Sequence, residues 1–376
     1  MSDPKSQSSV SANSPLPGRG TIVLAVFLAI AVSTVAASAE DAASEDPALL
    51  GIDTAIGRVE YHAGRGLRVG DTGLTVGGFA TLNAESLETG GSQAELEGLN
   101  FLVFLDPVPF LHLFTELEVA EIGRWESGRD DIRSDPGVTV ERLYGDLSAS
   151  DAVNVRFGKF LTPIGRWNVV PAEPFVWTTS EPVIVEEVFD ESATGAMLWG
   201  STFPRGGALS YSAYGTFLDP IAPDREAPPA DHSAGAHLEW ASLGGWTVGA
   251  SYFASESSPG SWNHLGGADL FWQPVERVEL SAEALFGEGT RENGALSGFF
   301  TQAVVETLPT LYAVGRYERF DPPRGARSLD LFDIGLAWVP VPYLRLKADY
   351  LFADHLDELS EDLAEPGFRA SLSVIF

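Results

Sequence analysis

The chain has 376 residues, with 53 acidic against 23 basic side chains and a formal net charge of −30 at pH 7. So large an acidic excess leaves nucleic acid out as a partner, while 44% hydrophobic and 11% aromatic residues exclude a disordered acidic protein. Cysteine is absent, which removes disulfides, thiolate nucleophiles and cysteine-ligated metals from consideration.

The first element in chain order is the only long apolar run, residues 21–35, which follows Lys5 and Arg19 and is closed by Ala37-Ser38-Ala39. A basic start, an apolar core and a small-x-small end predict a secretory signal peptide over residues 1–39, with the mature chain starting at Glu40. The competing reading, a membrane anchor, needs about 20 apolar residues, and this run is shorter. Residues 40–73 form a segment ahead of the main fold, read as a periplasmic tail or a small inserted hairpin; no heptad pattern within it suggests a coiled-coil stalk.

From Leu74 onward the sequence alternates. Sixteen strands are expected to start near Leu74, Ala94, Phe110, Val138, Ala152, Ala193, Ala208, Ser233, Trp246, Trp262, Val278, Leu296, Leu311, Ser328, Tyr343 and Gly367. Val278, Leu280, Ala282, Ala284 and Phe286 oppose Glu279, Ser281 and Glu283, and in the last strand Phe368, Ala370, Leu372, Val374 and Phe376 oppose Arg369, Ser371 and Ser373. Tight turns of chain-breaking residues fall at 106–109, 149–151, 204–207, 242–245, 274–276, 307–309 and 340–342. Longer polar connections fall between them at 89–93, 123–137, 161–192, 218–232, 255–261, 288–295, 321–327 and 353–366.

Short turns at one end and long loops at the other are the asymmetry of an all-β, transmembrane antiparallel barrel of the outer membrane. Aromatics support it: Trp240, Trp246, Trp272, Trp338 and Tyr343 lie at the short-turn ends, and Phe217, Tyr252, Phe286, Tyr317 and Phe352 at the loop ends. Two such girdles bound an apolar band facing outer-membrane lipid and lipopolysaccharide, which a soluble barrel has no reason to build. About sixteen strands make a cylinder too wide for side chains to fill, so passage of small hydrophilic solutes or ions is the expected function.

The longest connection, 161–192, is apolar for a loop, with Val169, Val170, Phe175, Trp177, Val183, Ile184 and Val185. Water is a poor place for these side chains, so the loop is expected to fold into the lumen and narrow it; capping the barrel or touching a neighbouring subunit is the alternative. It carries Glu173, Glu181, Glu186, Glu187, Asp190 and Glu191 against a single Arg166. Alternation points Arg142, Arg156, Arg345, Lys347 and Arg369 inward, together with Glu116, Glu118, Arg316 and Asp349. Acid on the loop facing base on the wall predicts a transverse field at the narrowest point, which would sort solutes by charge and dipole. The plainer reading is that wall charges pair with one another and solvate a wide channel.

The segment Val155-Arg-Phe-Gly-Lys-Phe-Leu-Thr-Pro-Ile-Gly-Arg-Trp-Asn168, a strand running through a Gly-Lys step into Thr-Pro-x-Gly, resembles the fifth strand and loop entry of phosphate-selective porins of the O and P type. The resemblance implies a homotrimer of sixteen-stranded barrels with an inward-folded third loop. It also matches Lys159 and Arg166 to the loop entry and Phe376 to the C-terminal aromatic read by the barrel-assembly machinery. The chain departs from that family in charge: anion-selective members rely on arginine and lysine clusters, whereas this constriction loop is acidic. A general, weakly cation-preferring porin is therefore expected. The alternatives are a substrate-specific uptake channel and a non-conducting structural barrel. His62, His112, His232, His237, His264 and His355 sit in no serine or metal motif, so neither enzyme activity nor a cofactor or metal is expected.

Overall fold

A computed structural model describes residues 50–376 apart from 55–56, 89, 130, 171–172, 223–229, 231, 259, 290–293, 324–326 and 355–364. The signal-peptide expectation and His355 lie outside the described residues. Three strands, β1 (Leu50–Thr54), β2 (Gly57–His62) and β3 (Gly66–Val69), precede the main sheet. They are followed by β4 (Leu74–Leu87), β5 (Ser92–Val108), β6 (Leu111–Glu126), the short β7 (Ile132–Arg133), β8 (Gly137–Ser150) and β9 (Val153–Leu161). After one helical turn, α1 (Val183–Glu186), come β10 (Ser192–Thr202), β11 (Gly207–Thr216), β12 (Ser233–Ser242), β13 (Trp246–Ser258), β14 (Ser261–Val275) and β15 (Val278–Glu288). The chain ends with β16 (Ala295–Leu308), β17 (Leu311–Asp321), β18 (Leu329–Val341), β19 (Leu344–Asp354) and β20 (Gly367–Ile375).

Sixteen of these, β4 to β6 and β8 to β20, form a closed antiparallel barrel. Closure is made by β20 against β4, from Gly367 opposite Leu87 to Ile375 opposite Phe79. Phe376 completes the seam: its N–H donates to the Gly78 carbonyl at 2.8 Å and its own carbonyl accepts from the Gly78 N–H at 2.9 Å. Such a ring leaves no strand edge among the sixteen, so backbone polar groups are satisfied without water. Every barrel strand begins within two residues of its expected start, because the tight turns are marked by Gly or Pro or, between β8 and β9, by Ser150-Asp151.

The period of two sorts the side chains. Phe332, Ile334 and Leu336 on β18 and Phe286 on β15 point outward, Phe286 62% and Ile334 61% exposed, while Asp333 and Glu283 point inward. Outside the barrel, β1 to β3 form a small antiparallel meander that joins the sheet at its short-turn rim, where Leu67–Val69 pair with Leu74–Val76. Residues 57–73 are thus ordered sheet and not a bare tail.

The apolar core lies inside the cylinder and on one side of it. Val183, Ile184, Val185, Val188 and Phe189 of the 162–191 loop pack against Phe253, Leu265, Leu285, Leu296, Phe300, Phe320, Leu329, Leu331 and Leu351, all on β13 to β19.

Candidate functional site

The 162–191 loop leaves the wall where β9 stops short. Its base is closed by the motif that carries the family resemblance: the Thr162 N–H donates to the Glu191 carbonyl at 2.8 Å and the Thr162 hydroxyl to the Asp190 carbonyl at 2.7 Å. Asn168 Nδ2 donates to the Thr162 and Glu191 carbonyls at 2.7 and 3.0 Å. Between them Gly165 adopts φ +65°, and a Cβ there would stand 2.0 Å from a Glu283 carboxylate oxygen. Only glycine accepts both the backbone angle and that approach. The close contact lets the Arg166 and Trp167 N–H groups donate to Glu283 Oε1 at 2.9 and 2.6 Å.

From there the loop crosses the lumen, tied to inward-facing wall residues at each step. Trp177 Nε1 donates to Glu279 at 3.0 Å, the Thr179 N–H and hydroxyl to Asp349 at 2.9 and 2.7 Å, the Ser180 hydroxyl to Asp333 at 2.8 Å, and the Val183 N–H to Glu318 at 2.9 Å. Basic wall residues take the loop's acceptors: Arg345 the Val176 carbonyl at 3.1 Å, Arg316 the Ser180 carbonyl at 2.8 Å, and Lys347 the Thr178 carbonyl and the Glu173 carboxylate, both at 2.8 Å. A loop at membrane depth must pair its backbone groups, and the wall charges do so.

This placement takes Arg345 and Lys347 out of the expected transverse field. The side chains of Arg316 and Lys347 are 0% exposed. Together with Asp349, and with Arg345, which stacks on Trp177 at 4.6 Å, they hold the loop from beneath and do not face it across water. Asp190, expected to line the constriction, is also buried and accepts from the Ala230 N–H at 3.0 Å. Lys159 is buried at the loop entry, donating to the Val140 carbonyl at 2.7 Å.

Two compartments of the lumen flank the loop. One, about 590 Å³, is bounded by β4, β5, β6, β8 and β20 on the wall side and by Glu173, Glu181, Glu186 and Glu191 on the loop side. Wall residues lining it include Glu116, Glu118, Arg142 and Arg369. The other, about 560 Å³, lies beneath the loop along β8 to β12 and is lined by Arg142, Arg156, Arg166 and Glu239 among others. Arg142 and Leu161 line both, so the two spaces meet there.

Arg142 is ion-paired with Glu116, and Arg166 with Glu239. Arg156 holds Asp146 through two bonds of 2.8 Å and lies 3.7 Å over the Tyr144 ring. The Glu181 carboxyl opens onto the lumen but is ringed by the barrel; this surrounding burial first, then Glu191, Glu186 and Glu173, push its pKa up to about 7 against the opposing pull of Arg316. Burial and Glu141 likewise raise Glu191, while Lys159 and Arg142 pull it down.

Sequence reasoning missed Glu85, Glu141 and Glu365 as lining residues. Glu141 faces the same space as Arg142 because the β6 to β8 register shifts between Glu116 opposite Arg142 and Leu117 opposite Val140, leaving Glu141 as the extra residue of a bulge. Alternation has no way to show a bulge. His112 and His237 hold Asp106 and Asp269 at 2.7 and 2.9 Å, and no group of three or more metal-ligating side chains occurs among the described residues.

No family model matches the chain. An uncharacterized protein of Aquifex aeolicus (strain VF5) is 24% identical over 338 residues, 73% of this chain and 71% of that one. Among solved structures, Salmonella typhi OmpF in complex with daunomycin superposes with a TM-score of 0.57 at 14% identity, over 81% of this chain and 97% of OmpF. The in-vitro folded trimer form of OmpT from Vibrio cholerae gives 0.54 at 12%, over 81% and 99%. An anion-selective porin from Comamonas acidovorans gives 0.53 at 12%, over 80% and 98%. The chain therefore shares the porin-like fold, a closed sixteen-stranded antiparallel barrel.

Proposed function

We propose that the protein is an outer-membrane porin, a water-filled channel for passive diffusion of small hydrophilic solutes and ions with a preference for cations. The observation that carries this reading is the crescent between the inner loop and the wall of β4 to β8: carboxylates stand on both of its banks, with Arg142 and Arg369 the basic residues on the wall bank. Fixed negative charge on both sides of a narrow aqueous gap concentrates cations and repels anions. The apolar outer face, with Phe286, Ile334 and Leu336 exposed, suits a lipid solvent. Structural neighbours that include a trimeric OmpT support a homotrimer. The proposal extends to a cleaved leader at residues 1–39, to lipopolysaccharide around the outer girdle, and to Phe376 as the residue read by the assembly machinery.

The constriction is then formed by Glu173, Glu181, Glu186, Glu187 and Glu191 with the lining acids and Arg142. Planar-bilayer recording of the purified protein in a salt gradient tests this: discrete conductance steps and a reversal potential of cation-selective sign are expected. A silent membrane, or strong anion preference, sinks the reading. Saturating block of the current by one solute would move it to a substrate-specific channel of the O and P type, whose loop-entry motif the chain resembles.

A further inference from the structure

The two compartments meet at Arg142 and Leu161 and differ in how their fixed charge is compensated. The larger reaches toward the loop end, where β4 finishes at Leu87, and among the described residues it is lined by ten glutamates against three arginines, one of each being the Glu318–Arg316 pair held under the loop. The smaller reaches toward the short-turn end, beside Ser201, Ser210 and Glu239. There each guanidinium has its own carboxylate: Arg142 has Glu116, Arg156 has Asp146 and Arg166 has Glu239.

We propose that ions cross the two compartments one after the other, which makes the channel a rectifier, passing more current when cations are driven from the loop end toward the short-turn end than in the reverse direction. The inference rests on the channel reading above. In the acidic compartment cations carry almost all of the current; in the compensated one both ions share it. When cations move from the first into the second, more cations reach the junction at Arg142 than leave it. Anions arriving from the short-turn side are turned back there. Salt builds up at the junction and the conductance rises. Reversing the voltage withdraws both ions from the junction and the conductance falls.

The test is a current–voltage curve from single channels. Orientation is read by adding a bulky thiol reagent to one side of an Asp219→Cys variant, since the native chain has no cysteine and Asp219 is exposed at the loop end. At about 0.1 M salt, where the screening length of ~10 Å spans the compartments, currents at equal and opposite voltages should differ by about 1.5-fold or more; near 1 M, where it is ~3 Å, the ratio should approach unity. Glu181→Gln with Glu191→Gln should lower both the ratio and the cation preference. Ser212→Glu, which puts an uncompensated acid into the smaller compartment, should lower the ratio while raising cation preference. That opposition separates charge from channel shape as the cause. A cation-selective channel with symmetric currents at low salt overturns the rectifier and leaves the channel reading standing; a silent membrane overturns both.

Discussion

The wall from β13 to β19 and the wall from β4 to β8 enclose one lumen, and both carry inward-facing carboxylates at alternate positions, yet one wall is dry and the other wet. On the dry wall Glu283, Glu318, Asp333 and Asp349 accept hydrogen bonds from the inner loop. On the wet wall Glu116 pairs with Arg142, Glu118 is hydrogen-bonded to Asn100, and both face open space. What separates them is the inward residues in between. β13 to β18 turn Phe253, Leu265, Leu285, Phe300 and Leu331 into the lumen, whereas β4 offers Thr81, Asn83 and Glu85. Apolar side chains inside a hydrated cylinder demand a cover, and Ile184 and Phe189 supply it. An inward carboxylate thus works on the loop where its neighbours are apolar, and on the solute where they are polar.

The contrast breaks most completely if the cover is removed. Deleting 169–185 should expose the dry wall to water and raise single-channel conductance by about two-fold or more, since the lumen of a sixteen-stranded barrel is otherwise open; unchanged conductance would mean that the loop does not set the bottleneck. A point change should reach part of this. Lys347→Met removes a fully buried ammonium that holds both Glu173 and the Thr178 carbonyl, at a cost of about 1.5–3 kcal/mol for hydrogen bonds to a charged group. Faster amide exchange across 173–180 and a noisier open channel are expected, with the barrel strands still protected. Ile184→Ala, in the same core but away from the charges, should loosen the loop by about 2–4 kcal/mol through its cavity. On the wet wall Glu118→Gln should do the opposite of both, shifting the reversal potential and leaving loop exchange untouched.

The same contrast explains what was legible in the sequence. Strand number, turn positions and the inner loop follow from local signals: a Gly, a Pro or a Ser-Asp step at each tight turn, a period of two between turns, and too many apolar residues between Val169 and Val185 for a loop in water. The destination of the charges does not follow, because alternation gives the face of a residue and not its partner. Lys347 and Arg369 read alike, yet one is buried under the loop and the other lines the open space. A usable clue was present in the inward apolar residues: Phe253 and Phe300 have no reason to face water, and charges flanking them are the ones a covering strap would claim. Glu141 was beyond any such argument, since its bulge is set by pairing across strands. The β1 to β3 meander was also obscure, its strands being too short for their period to stand out.

The smallest expected effect comes from protons. With its pKa raised to about 7, Glu181 changes charge in a range where an ordinary glutamate, near 4.5, is already fully ionised. The raised value means that the folded channel binds this proton more tightly than an unfolded chain does. Between about pH 4.5 and 7 the native state therefore holds more protons, and this group's contribution to stability falls as pH rises through that window. For permeation the sign is that of charge: as pH falls through about 7 the loop bank loses a negative charge, and cation preference weakens. A permeability ratio lower by about 1.5-fold at pH 6 than at pH 8 is expected. Glu181→Gln should flatten most of that slope while Glu191, also raised, keeps a remainder. Because Glu181 faces Glu173, Glu186 and Glu191 on its own loop and Arg316 on the wall, Arg316→Met should move the midpoint higher still. Identical titrations of the native channel and the Glu181→Gln variant would place the charge that governs selectivity on the wet wall alone.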